Sequence, residues 1–298
     1  MKRGLTIFLA VLMTVISLIS FTACKDKDTT PTKPAGTDVS VMSFNIRQDI
    51  DIDGDERDWS VRKSYVVDHI KAQSPGILCM QEVKENQNDD IKAGLGDAYY
   101  PIWYSRTVDK SEEGLAIYFK NDSYELLSQD MFWMSPTPDV ESKGYGASYI
   151  RICVHAVLRE KVSQREISVY CVHLDVDSAN AREKEIAMVL DRIEAEGKPS
   201  IVCGDFNTSY KSKCFKAIDE VMQSVQDDAP ITQKGMTYQD YGGFLANKNS
   251  IDFIFVSDDF YCYKFDILDE TKKKDGVTIY YSDHYAVRGD VVLLPSSL

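Results

Sequence analysis

Short, largely apolar runs recur along the chain at 39–45, 77–81, 114–119, 149–157, 167–173, 200–203, 251–256 and 285–292. They predict strands, and the short continuous ones read as strands buried on both faces. Between some of them apolar residues fall at helical spacing: Val61, Tyr65, Val66 and Ile70; Ile186, Val189, Leu190 and Ile193; Phe215, Ile218 and Met222. Residues 124–134 facing 150–158 predict a hairpin, and 159–165 a polar turn into a further strand. The stretch 227–249, rich in Gly, Asp, Asn and Gln, reads as a long loop, a type usually functional or mobile in compact domains. Strand-helix-strand units mixed with hairpins predict an α/β (α+β) chain of layered sheets covered by helices.

The first residues break this pattern. Met1-Lys2-Arg3, an apolar run from Leu5 to Ile19 and the small residues before Cys24 resemble a bacterial lipoprotein signal. The resemblance implies that residues 1–23 are removed and Cys24 is lipidated. Phe21 departs from the usual aliphatic residue. The run is interrupted by Thr14, Ser17 and Ser20 and falls short of the roughly 18 apolar residues a spanning helix needs. Residues 24–37 carry no large apolar residue and suit a disordered tether. One large domain is therefore expected over 38–298, in a chain lipid-anchored at the cell envelope, on its periplasmic or cell-surface face.

The net charge of −13 becomes −15 once Lys2 and Arg3 are removed. Non-specific nucleic-acid binding relies on Lys and Arg, so the balance disfavours a general DNA or RNA binder. Apart from Cys24 there are six cysteines, an even number that invites a disulfide reading in an exported protein. Four of them, Cys79, Cys153, Cys171 and Cys203, lie inside apolar runs, where a free thiol behaves as a small hydrophobe; buried free thiols are expected. No spacing resembles a zinc site.

Polar residues cluster where strands end. Asn45 closes the first run, Glu82 follows the second and His173 closes the fifth. Asp205 and Asn207 follow the sixth, Asp252 opens the seventh, and Asp283 and His284 precede the last. If the strands lie side by side, these side chains converge on one rim, where ligand sites of layered sheets form. Carboxylates and carboxamides without thiolates suit Mg2+, Mn2+ or Ca2+. Such a cation neutralises charge on a phosphoryl group, and imidazoles transfer protons near neutral pH. Any one of these residues alone would read as a turn or surface residue; the set points to phosphate-ester hydrolysis.

The order and flanks of the set resemble the endonuclease/exonuclease/phosphatase superfamily, whose fold is that of pancreatic deoxyribonuclease. The matching pieces are Ser-Phe-Asn-Ile-Arg (43–47), Met-Gln-Glu-Val (80–83), Gly-Leu-Ala-Ile-Tyr-Phe (114–119), Val-His-Leu-Asp (172–175), Gly-Asp-Phe-Asn (204–207), Ile-Asp-Phe-Ile-Phe (251–255) and Ser-Asp-His (282–284). The resemblance implies a four-layer αββα sandwich of two packed mixed sheets flanked by helices. It implies a divalent-metal-dependent phosphoesterase using Mg2+ or Mn2+, with in-line attack of water on a phosphodiester the leading reaction. A phosphomonoesterase on a sugar, inositol or nucleotide, a sphingolipid or phospholipid diesterase, and a nuclease stay open within that class, and a non-catalytic ligand-binding lipoprotein outside it.

Carried over residue by residue, the resemblance makes Glu82 a metal ligand, with Asn45 close to the ion or the phosphate and Asp283 near the metal. Asp205 and Asn207 orient the attacking water and contact the phosphate. His284, held by Asp252, and His173 on the other side of the phosphate transfer protons or stabilise charge. Whether Asp205 or a histidine is the base, and whether one ion or two act, stays open. Trp59 with Arg62, the stretch 132–138, Lys143 and Arg151 are similar to an exported bacterial branch of metal-dependent hydrolases. Arg47, Trp59, Arg62, Tyr149 and Arg151 are substrate-binding candidates. Trp59, Trp133, Tyr145 and Tyr149 suit equally a stacking pocket or the core. Asp49-x-Asp51-x-Asp53-Gly54 begins like a calcium loop but has Ser60 where a bidentate Glu is required, and reads as a solvated acidic loop. His69 and His155 lack acidic sequence neighbours that form a motif and read as structural. No protein partner is implied.

Overall fold

In the computed structural model the described residues are 31–50, 55–244 and 249–296. The signal and tether up to residue 30, including Cys24, and residues 51–54 of the acidic loop lie outside them. The chain enters with β1 (Thr37–Asn45), followed by α1 (Trp59–Gln73), β2 (Ile77–Val83), α2 (Glu85–Leu95), β3 (Tyr99–Ser105) and β4 (Gly114–Lys120). The middle contributes β5 (Tyr124–Trp133), β6 (Ile152–Glu160), β7 (Glu166–His173), α3 (Ala179–Glu196), β8 (Ser200–Asp205) and α4 (Lys213–Asp219). Short elements follow: β9 (Gln223–Ser224), α5 (Val225–Asp228) and β10 (Ile231–Thr232). Last come β11 (Asp252–Val256), β12 (Phe260–Leu268), the hairpin β13 (Lys272–Lys274) and β14 (Val277–Ile279), and β15 (Ala286–Leu293).

Two mixed sheets result, one ordered β10-β12-β15-β1-β2-β4-β3 and the other β5-β6-β7-β8-β11-β9. Period-two alternation explains why they stack. Along β1 and β2, Val41 and Cys79 face the second sheet in the central core, while Met42, Phe44, Leu78 and Met80 face α1 and α2. In the second sheet, Val169, Cys171 and Ile201 face inward, and Tyr170, Val172 and Val202 pack under α3 and α4 with Ile186, Val189 and Phe215. Both faces of the central strands are buried, which accounts for their near-continuous apolar runs. The layers are helices, sheet, sheet, helices, the expected αββα sandwich.

Two helices start on side-chain caps: Asp58 caps α1 by accepting from Ser60 N at 2.7 Å, and Ser178 caps α3 by accepting from Ala181 N. All six described cysteines are buried free thiols, and burial raises the thiols of Cys79 and Cys153 well above the ordinary range.

Three features differ from the sequence reading. Tyr149 is not the start of a strand: β6 begins at Ile152 because the N–H groups of Ser148 and Tyr149 bond to the Asp175 carboxylate instead of a neighbouring strand. β3 was hidden by Pro101, which is tolerated because β3 is the edge of its sheet. α2 was hidden because only Ile91, Leu95 and the polar Gln87 are buried on it.

Candidate active site

Strand register brings most of the chemistry together. In the second sheet His173 sits opposite Asp205 across the parallel β7–β8 pair, and Asp205 sits opposite Asp252 across the antiparallel β8–β11 pair. Three functional side chains therefore occupy adjacent positions on one sheet edge. Gly204 permits this: a Cβ there would lie 1.9 Å from the Val172 carbonyl oxygen, and φ is +155°.

The first sheet supplies the facing wall. Between Met80 and Val83 the β2–β4 register shifts, and Glu82 takes φ +61°, so a bulge turns its side chain to the rim. Arg47, just past β1, and Asn207, just past β8, also have left-handed backbones, φ +58° and +49°. Strained non-glycine positions thus gather at the site. The Ser282-Asp283-His284 turn before β15 is tied down by Ser282 Oγ, which donates to the Asn45 carbonyl at 2.7 Å, and by Gln239 N, which donates to the Asp283 carbonyl at 2.9 Å.

One oxygen stands at the centre. Asp205 Oδ2 lies 3.0 Å from Asn45 Nδ2, 3.5 Å from His173 Nε2 and 3.7 Å from His284 Nε2. Its partner oxygen Oδ1 accepts from Asn207 N at 2.8 Å. Behind His284, Nδ1 meets Asp252 Oδ2 at 2.9 Å. Asn207 holds the end of β7 by donating from Nδ2 to the Leu174 carbonyl.

The electrostatics divide Asp205, His284 and His173. Burial, aided by Asp252 and opposed by His284, pushes the Asp205 carboxyl up to about 7. Burial alone would depress the His284 imidazolium, but Asp252, Asp205 and Asp283 outweigh it and hold the ring charged well above its ordinary range. For His173, burial and the positive charges of Arg151, His284 and Arg106 act together and hold it neutral. Two imidazoles a few ångströms apart are thereby pushed in opposite directions.

Glu82 and Asp283 face each other across Arg47, whose NH1 is 3.9 Å from Glu82 Oε2 and whose Nε is 3.9 Å from Asp283 Oδ2. Burial, then the Glu82 charge, raises the Asp283 carboxyl despite the opposing pull of His284 and Arg47. Two hard anionic donors crowded in this way fit a divalent cation, which would relieve their repulsion. Asn45 lies between the Glu82 and Asp205 carboxylates. Its Nδ2 bridges Glu82 Oε1 at 3.1 Å and Asp205, and its oxygen accepts from Arg47 N, so it is a hydrogen-bond strut that must turn to offer oxygen to an ion. Asp205, Asp252 and His284 also present donor atoms within 4.8 Å of one another. There a cation would compete with the hydrogen bond from His284 Nδ1 to Asp252, so Glu82 and Asp283 are the better pair.

Glu82, His173, Asp205, Asn207, Asp283 and His284 line a cavity of about 370 Å³, which Arg106, Glu113, Tyr149 and Arg151 also line. A larger surface cleft of about 600 Å³, beside Asp58 and the β13–β14 hairpin, contains none of this chemistry. Tyr149 and Arg151 are where the sequence leads one to expect them, in the cavity. Trp59 and Arg62 are not. Trp59 is buried and donates from Nε1 to Asp90, and Arg62 is fully buried, bonding the carbonyls of Ile46, Arg47, Arg57 and Tyr281. Arg62 braces the loop that carries Arg47, Trp59 is tied to Asp90, and neither lines the cavity. Sequence reasoning missed Arg106, Glu113 and Tyr238. Glu113 sits directly before the apolar run of β4, a charged strand-start signal of the kind that marked Asp252.

A sequence model of the Endonuclease/Exonuclease/phosphatase family matches residues 42–284. The fold is similar to the endonuclease/exonuclease/phosphatase from Bacteroides vulgatus, at 29% identity and TM-score 0.79, covering 86% of this chain and 99% of that one. It is also similar to a mannosyl-6-phosphatase of Bacteroides thetaiotaomicron, at 26% identity and TM-score 0.78, covering 85% and 99%. Among curated proteins, Protein angel homolog 2 of Mus musculus is 27% identical over 61% of this chain and 37% of its own length. The chain spans between 28% and 60% of the length of the curated relatives it was compared with.

Proposed function

The chain belongs to the endonuclease/exonuclease/phosphatase family, and from that premise we propose that it is a divalent-metal-dependent phosphoesterase in which activated water displaces the alcohol of a phosphate ester. The observation that carries this is the enclosure of Asp205 Oδ2 by Asn45, His173 and His284 within 3.7 Å. Glu82 and Asp283 would hold the cation, with Asn45 close by; when bound, it neutralises charge on the phosphoryl oxygens. Magnesium or manganese suits such oxygen donors.

The protein's own groups divide the remaining work. Asp205, poised to about 7, has the proton affinity of a general base near neutral pH and takes the proton of the attacking water. Asn207, fixed against Asp205 and Leu174, orients that water. His284, kept charged by Asp252, has no free lone pair to act as base; it donates from Nε2 to the developing negative charge. His173, neutral, presents Nε2 toward Asp205 from the opposite side and accepts or donates at the phosphate. Arg47 and Arg151 supply charge at the two walls of the cavity.

A phosphodiester is the leading ester. Monoesters of sugars are the second reading, favoured by similarity to the mannosyl-6-phosphatase. Long nucleic acids are disfavoured by the net charge of −13. A lipid anchor at Cys24 that holds the enzyme at the envelope belongs to the same proposal and rests on the sequence alone. The test is hydrolysis in ¹⁸O-labelled water, with magnesium or manganese, of an aryl phosphodiester, an aryl phosphomonoester, a hexose 6-phosphate, DNA and sphingomyelin. Label appearing in the phosphorus product, dependent on metal, supports the reading and ranks the esters; label in the alcohol, or turnover indifferent to chelator, rejects it.

A further inference from the structure

The cavity wall formed by Tyr149 and Arg151 is held by a residue that does not itself line the cavity. Asp175, two residues beyond His173, is fully buried and uses both carboxylate oxygens. Oδ2 accepts from Ser148 N at 2.8 Å and Tyr149 N at 3.3 Å; Oδ1 accepts from Ser178 N at 2.8 Å and Asp177 N at 3.2 Å. Its own N–H donates to the buried Glu185 Oε2 at 2.9 Å, and its carbonyl accepts from Arg182. One carboxylate therefore joins the end of β7, the start of α3 and the loop that delivers Tyr149 and Arg151.

That loop carries groups whose bonding is incomplete. Arg151 is 6% exposed, its Nε has no hydrogen-bond partner, and its NH1 is 3.9 Å from Glu113 Oε1, beyond a hydrogen bond. Glu113 is hydrogen-bonded instead by Arg106 NH1 at 2.6 Å, so Arg151 keeps only the longer ion pair with it and no hydrogen bond to that carboxylate. The ring of Tyr149 lies 5.3 Å from the guanidinium carbon of Arg106 and 5.6 Å from that of Arg151, while about half of it stays exposed at the cavity mouth. A buried guanidinium with an unused donor, facing a cavity, is a receptor for an anionic oxygen, because leaving such a donor unpaired is unfavourable.

We propose that Asp175 is a positioning residue that sets the Ser148–Arg151 segment, and that Arg151 so placed receives a non-bridging phosphate oxygen beside His173, with Tyr149 as the adjoining face for the alcohol portion of the ester. This rests on the phosphoesterase reading for its substrate, but its mechanics are those of phosphate binding. Asp175 acts on the cavity through the loop: of its four accepted hydrogen bonds, all from backbone N–H groups, two fix Ser148 and Tyr149 and two the start of α3, and Asp175 does not line the cavity.

The probe is inorganic phosphate, whose affinity for the purified full chain is measured by calorimetry with magnesium present, and, where the wild type turns over an aryl phosphate ester, KM and kcat are measured in parallel. Arg151→Ala and Asp175→Ala each weaken phosphate binding tenfold or more and raise KM by a similar factor, with kcat changed less than threefold. The double variant binds phosphate no more weakly than Arg151→Ala alone, because Asp175 acts through Arg151. Asp175→Asn, which keeps the volume and one acceptor oxygen, gives an intermediate loss and stands in if the alanine variant does not fold. Phosphate affinity unchanged in Arg151→Ala, or losses that simply add in the double variant, overturns the proposal. Because affinity is read without turnover, that failure is separate from a failure of the hydrolytic reading.

Discussion

His284 Nδ1 lies 2.9 Å from Asp252 Oδ2, and both side chains are almost entirely buried. The pair links the turn before β15 to β11, and thereby one sheet to the other. It also fixes which nitrogen of His284 faces Asp205. Asp252→Asn retains an oxygen that can accept from Nδ1 but removes the negative charge that keeps the ring protonated. The expected result is a loss of about a hundredfold in kcat, with His284 titrating at lower pH by NMR. An unchanged titration would show that Asp252 does not set the charge of His284.

Removal of one carboxylate from the Glu82–Asp283 pair should act on metal before anything else. Glu82→Gln keeps the size of the side chain and the carbonyl that can accept from Gln48 N, as Glu82 Oε2 now does. The magnesium concentration giving half-maximal rate should rise by at least about tenfold, the cost usual for weakened metal binding. A metal titration of activity that superimposes on the wild type would take Glu82 out of the cation site.

Gly204→Ala places a methyl 1.9 Å from the Val172 carbonyl oxygen, where only backbone can give way. β7 and β8 must separate at the position where His173 and Asp205 lie side by side. A loss of ~2–3 kcal/mol in denaturant melts together with loss of turnover is expected; full activity at wild-type stability would contradict the close approach.

Arg62→Met tests whether this arginine is a brace or a substrate contact. The arginine satisfies four backbone carbonyls, those of Ile46, Arg47, Arg57 and Tyr281, without reaching the cavity. Stability should fall by about 3 kcal/mol because buried acceptors lose a charged donor. Soluble variant with intact stability and a raised KM would restore the substrate role that the sequence suggests.

Glu185 gives a pH signature away from the Glu82–Asp283 pair. Burial, partly offset by the N–H of Asp175 and by Arg151, pushes its carboxyl up to about 7 from an ordinary 4.5. A raised folded-state value means that this group's contribution to stability is complete below pH 4.5 and is lost as pH rises through about 7. Glu185→Gln cannot ionise, so it should gain on the wild type between pH 4.5 and pH 8, by up to about 3 kcal/mol from the size of the shift. Urea melts at the two pH values check this, and a difference independent of pH would contradict it.

Much of the site was legible in sequence because the strands that carry it are buried on both faces. Ile77 to Gln81 and Ile201 to Asp205 leave the apolar pattern only at their ends, and Val41 to Asn45 is broken before its end only by Ser43, so the polar terminal residues stand out, and the order of those residues is what resembles a known family. Other parts depended on contacts between distant segments. Asp175 ends the matched Val-His-Leu-Asp run, but its hold on the loop from 148 shows only in the fold, and Arg106 follows a strand disguised by Pro101. Trp59 and Arg62 carry the residue types of a binding surface, yet both are buried away from the cavity, Trp59 bonded to Asp90 and Arg62 supporting the Arg47 segment. Chemistry at strand ends is written locally; the wall that shapes substrate binding is written in tertiary contacts.

The most direct test of the account is the rate of phosphate-ester hydrolysis by the wild type and by His284→Ala, each with magnesium and with chelator. Turnover by the wild type that chelator abolishes and that falls at least about a hundredfold in the variant, with the fold unchanged by circular dichroism, is the predicted result. Metal-supported turnover that survives the loss of His284 would contradict it.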